Sequence, residues 1–74
     1  MNNLRRKDVR KALELLEQAQ AILEQVRDEE QEAYDNLPEG IQMSERGETM
    51  EETISNFEEY LDSLSDMAEF METV

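Results

Sequence analysis

Apolar residues recur at alternating steps of four and three through the second half of the chain. From Met43 the steps run through Gly47, Met50, Ile54, Phe57, Leu61, Leu64, Ala68 and Met71. That spacing keeps side chains on one stripe of an α-helix, and every position but Gly47 carries an apolar side chain. A turn at Gly47 would have no reason to preserve the register, so the glycine is expected inside a helix. It costs about 1 kcal/mol there relative to alanine. The cost is tolerable if another backbone or a bulky side chain packs against it. The break is therefore placed earlier, at about 37–43, where Pro38 rigidifies the turn and Gly40 offers a conformation open to positive φ. The second helix is expected over about 44–73, with Ser44 as N-cap and Glu45 in the dipole-favoured first turn. Thr49–Glu52 (T-M-E-E) is a competing capping box that would start it later.

The first stretch, about 4–36, is rich in Ala, Leu, Glu, Gln, Arg and Lys and has no Gly or Pro. Its apolar rows are Val9–Leu16–Leu23–Leu37, Ala12–Ala19–Val26–Ala33 and Leu15–Ile22. Glu29 and Glu30 interrupt the stripe. The two helices come out at about 50 and about 45 Å, at 1.5 Å per residue. Matched helices with a short connection predict an all-α antiparallel hairpin spanning 1–74 as one domain, with Leu37 and Ile41 plugging its end. The rows are wider than two helices can hide. The excess predicts self-association into a four-helix bundle, as a dimer, or into a higher coiled-coil homo-oligomer. The expected interface residues are Leu15, Leu16, Ile22, Leu23, Gly47, Met50, Ile54, Phe57, Leu61, Leu64 and Met71.

Composition points the same way. A chain of 74 residues has little interior, and small domains supplement it with disulfides, metals or oligomerisation. There is no cysteine and no histidine, which removes disulfides, thiolates and the usual neutral-pH base. No phosphate loop, no serine with a base and no calcium-loop spacing is present, so no enzyme activity, cofactor or metal is expected. The net charge of −13 opposes nucleic-acid and membrane-surface binding. No apolar run nears the roughly 20 residues of a membrane span, and the start lacks a signal peptide's apolar core. A cytoplasmic protein is expected.

Three polar or mixed features could carry binding. Five of the seven basic residues, Arg5, Arg6, Lys7, Arg10 and Lys11, crowd the start. In a hairpin they would lie beside Asp66, Glu69 and Glu72, where cross-helix pairing would fix the register. Alternatively Arg5, Arg6 and Arg10 from several subunits would converge on a phosphate-containing ligand. The second feature is the acidic outer face of the second helix: a solvated surface, or a decoy for a basic partner. The third comprises the methionines and aromatics. Met50, Phe57, Tyr60, Met67 and Met71 read as core, while Phe70 lies off the main seam and suggests a contact patch with Met67, Met71 and Val74.

The run VRDEEQEAYDNLPEGIQMSERGETMEE, residues 26–52, resembles short, uncharacterised helical proteins encoded by phages, prophages and mobile elements of Gram-positive and gut bacteria. In these a long acidic helix leads through an N-L-P-E turn and S-E-R-G-E into a second acidic helix. The resemblance implies a mobile-element origin, hence host cytoplasm, and brings no catalytic residues. The expectation is a non-enzymatic phage-type accessory protein that acts by binding: an oligomer that blocks a host defence factor or sequesters a nucleotide signal. The alternatives are a scaffold, chaperone or oligomerisation module, or an acidic nucleic-acid mimic or antitoxin-like partner of a basic protein.

Overall fold

A computed structural model describes residues 1–74 as three helices: α1 Asn3–Asp35, α2 Glu39–Gln42 and α3 Glu45–Glu72. Helix α1 starts at an N-cap that the apolar pattern does not announce. Asn2 has extended backbone, and its Oδ1 accepts the Arg5 N–H at 2.8 Å. The charges of α1 work against its macrodipole: its first turn has no acid and its last turn no base. Arg5 near one end and Asp35 at the other each cost about 0.3–1 kcal/mol. Packing, not local electrostatics, must hold this helix.

The connection is itself helical. The Leu37 N–H returns to the Tyr34 carbonyl at 3.0 Å, and the Pro38 carbonyl accepts from Ile41 and Gln42 at 2.9 and 3.0 Å. These bonds close the single turn of α2. Gly40 lies within it and no residue has positive φ, so the expected left-handed turn is replaced by a helical one. Met43, expected as the first member of the stepped row, instead ends α2 and is 76% exposed. Ile41 is also exposed, and only Leu37 half-plugs the core's end.

Ser44 stands at the N-cap of α3 as expected, but its hydroxyl donates back to the Ile41 carbonyl and makes no cap bond. Thr49 is inside the helix, its Oγ1 donating to the Glu45 carbonyl at 2.9 Å. The T-M-E-E box therefore does not start α3, and Gly47 lies in its first turns, buried.

From Gly47 onward the stepped row is the inner face of α3. Ile54 and Leu61 are 5% exposed, and Met50, Phe57, Leu64, Ala68 and Met71 are half-buried. Across from them α1 presents Val9, Leu13, Leu16 and Leu23, with Gln20 and Tyr34 in the same seam. The Ala12–Ala19–Val26–Ala33 row, expected inside, is exposed, and Leu13–Gln20–Arg27–Tyr34 takes its place. The rotation has a polar reason. It lets the Gln20 Nε2 donate to Ser65 Oγ at 2.7 Å and the Tyr34 hydroxyl donate to Glu51. These pairs also show that α1 and α3 run antiparallel, since the later residue of α1 meets the earlier residue of α3.

The result is a rod of 57 × 15 × 13 Å. Its radius of gyration is 17.0 Å, against about 11 Å for a compact domain of this length.

Candidate functional site

The rotation that sets the seam leaves a second one outside. In α1 the residues Ala12, Leu15, Ala19, Ile22 and Val26 each precede a seam residue by one position. In α3 the same holds of Thr53, Asn56, Tyr60, Ser63, Met67 and Phe70. One position is a rotation of 100° about a helix axis. In facing antiparallel helices the same offset turns both rows to the same side of the pair. The clasp residues Ser65 and Glu51 each follow a seam residue and so mark the opposite, polar side.

This open side has no charged residue in either row, and its large apolar side chains are unusually bare. Ile22 is 63% and Tyr60 67% exposed, and Leu15, Met67 and Phe70 are exposed with them. Scattered apolar residues are normal on a surface, but two adjacent heptad-spaced rows are not. Between them lies a groove of about 230 Å³, lined by Leu23 of α1 and by Thr53, Asn56, Phe57, Tyr60, Leu61 and Leu64 of α3. No charged side chain lines it. It is smaller than the roughly 300–1,000 Å³ of small-molecule sites, and suits one large side chain better than a metabolite.

The expected interface residues divide. Leu15 and Ile22 belong to the open side. Leu16, Leu23, Gly47, Met50, Ile54, Phe57, Leu61, Leu64 and Met71 face the hairpin's own seam. Leu13 escapes the sequence reading because it sits between three candidate rows, and its membership depends on where polar Gln20 and Tyr34 find partners.

The basic cluster is not drawn to the acids of α3. The one ion pair in the structure is Arg27 with Asp28, neighbours in sequence, at 3.0 Å. Arg6 and Arg10 share a helix face, and Arg6 reaches Asn3 Oδ1 at 3.4 Å. Arg5 is turned 100° from Arg6, so one chain does not gather the three guanidinium groups at a point. No three acidic side chains converge as metal ligands, and no helix is long and apolar enough to cross a membrane.

Charge is strongly polarised along the rod. Residues 20–61, the turn half, hold thirteen acids against Arg27 and Arg46. Residues 1–19 and 62–74, the terminal half, hold seven acids against five bases. Eleven of the thirteen net negative charges therefore lie toward the turn. Compared with known protein families, characterised proteins and solved structures, the chain matches none.

At the turn end, Tyr34 is the hub. Its carbonyl accepts Gln42 Nε2 at 2.9 Å and its hydroxyl donates to Glu51. That hydrogen bond holds the phenol proton and raises the Tyr34 pKa above the ordinary value of 10.0, with desolvation and the nearby charges of Glu51 and Asp35 adding to it. A raised pKa means that the folded state keeps the proton longer. The clasp's stabilisation is complete below the unfolded value and is lost as pH rises through the folded one. In a Tyr60→Phe background, phenolate absorbance should rise at higher pH in the folded than in the urea-unfolded chain, and Glu51→Ala, which removes both acceptor and charge, should narrow that gap. Equal midpoints in folded and unfolded chains would rule the clasp out.

Proposed function

We propose that this chain is a non-enzymatic binding protein that works as a homo-oligomer of acidic helical hairpins. The observation that carries the reading is the open apolar side, with heptad spacing in both long helices and nothing in the single chain to cover it. The surface area agrees. The chain exposes 5815 Å², whereas a monomer of this mass exposes about 4,700 Å². The excess is of the order of the roughly 800 Å² per partner that a standard interface buries. With only Ile54 and Leu61 as fully buried apolar side chains, self-association is the remaining source of core.

The likeness of residues 26–52 to mobile-element proteins supports an accessory role of the phage type, exerted by binding. The polarised charge favours a second reading, an acidic turn end that engages a basic protein surface, because potentials of this kind steer association. Native mass spectrometry on gently purified protein tests both. A dimer is the expected species, and a monomer at micromolar concentration would remove the basis of the proposal. A retained phosphate-containing mass, lost on charge reversal of Arg5, Arg6 and Arg10 while the oligomer stays intact, would assign the basic cluster to ligand binding. A co-purifying basic protein, lost when turn-end glutamates are neutralised, would assign the acidic end.

A further inference from the structure

Resting on the oligomeric reading above, we infer that the open side is a two-fold interface for a second copy of this chain, and that the two hairpins dock in opposite directions, turn over termini. Two face-to-face arrangements are compatible with a two-fold axis. In one, both turns lie at the same end, and two turn halves of net charge −11 are brought together. In the other, each turn half lies over the partner's terminal half, which is nearly neutral because it holds Arg5, Arg6, Lys7, Arg10 and Lys11. The second arrangement separates the like charges by much of the 57 Å rod, several Debye lengths at physiological salt.

The pattern of side-chain size fits the same docking. Ala19 is the midpoint of the α1 row, and Ser63 is one of the two central members of the α3 row, so a crossing at these positions puts small residues where backbones approach most closely. Tyr60 and Met67 flank Ser63 on either side. Reversing one hairpin about Ser63 brings Met67 of the partner subunit to the groove beside Tyr60, and reciprocally. Four rows then close over one core, with the Gln20–Ser65 and Tyr34–Glu51 clasps left on the outer sides. The first cationic segment of each chain lies over the acidic 28–39 of the other, which contains Asp28, Glu29, Glu30, Glu32, Asp35 and Glu39 without a base.

The chain has no cysteine, so a single Glu39→Cys substitution carries one spin label on each turn. Glu39 is exposed and lies off the inferred interface. In the dimer, pulsed electron resonance should read a label separation comparable to the 57 Å length of the rod. A separation within about 20 Å, two helix diameters, would overturn the direction while leaving the homo-oligomer standing. A monomer would overturn both the docking and the oligomeric reading. The face is tested separately with Ile22→Glu and Tyr60→Glu combined. Both side chains are exposed in the single hairpin, so helicity should persist while the dimer dissociates at least tenfold more readily. A double variant that dimerises as tightly as the parent would overturn the assignment of the face.

Discussion

Replacing Gly47 by alanine is expected to destabilise the protein by about 2 kcal/mol, although alanine is the better helix former by about 1 kcal/mol. A Cβ at this position would collide with the Gln42 carbonyl oxygen and lie 2.5 Å from its carbon and 2.6 Å from its Cα. All three are backbone atoms, so no flexible side chain can swing away. The end of α2 would have to lift from α3, straining the Gln42–Tyr34 hydrogen bond and the return of Ser44 to Ile41. Overpacking of this kind typically costs about 1–3 kcal/mol, and more where backbone must move. In a domain of this size the expected loss is about 10 °C in Tm. Gly40→Ala is the matched control. A methyl group on Gly40 would meet nothing within 4 Å, and its φ is not positive, so alanine there should stabilise by about 0.4–1 kcal/mol. Thermal unfolding followed by circular dichroism reads both. Opposite signs are expected, and a Gly47→Ala chain as stable as the parent would deny the close approach of α2 to α3.

That contrast also shows how far the sequence could be read. The register through Gly47 was legible because eight residues from Gly47 to Met71 keep one phase, and a helix has no other way to place them together. The same register failed at Met43. Pro38 gives its carbonyl to two N–H groups, α2 forms, and the extra helical turn rotates Met43 into solvent. Helix α1 was harder still. It carries two apolar rows one position apart, and periodicity alone cannot say which faces α3. The choice was made by Gln20, Tyr34, Ser65 and Glu51, whose hydrogen bonds exist only after the chain has reversed. Such pairings span 45 and 17 residues and leave no local trace. For the same reason the open side was visible only as a surplus of apolar rows. Its composition from Leu15, Ile22, Tyr60, Met67 and Phe70 required the fold.

Leu61→Ala should have the largest effect of any single truncation in the chain. Leu61 and Ile54 are the only apolar side chains that the hairpin buries outright, and losing such a leucine costs about 2–5 kcal/mol. A 74-residue domain of ordinary stability has about 4–11 kcal/mol in all, so the variant should be largely unfolded near about 50 °C, a common mesophilic Tm. Ile22→Ala removes a comparable side chain from the open side, and the two variants separate the hairpin's own core from the proposed interface. Ile22 is 63% exposed in the single hairpin, so its truncation should change hairpin stability by no more than about 0.5 kcal/mol. Its cost should appear only through assembly, which contributes in proportion to the logarithm of protein concentration. The parent chain's Tm should therefore rise with concentration. Leu61→Ala should lower the whole curve, while Ile22→Ala should flatten its slope and leave the dilute limit in place. If Ile22→Ala instead lowered the dilute limit as much as Leu61→Ala does, the open side would be part of the hairpin's own core. If the parent Tm were independent of concentration, the apolar side would have to be covered by something other than a second copy.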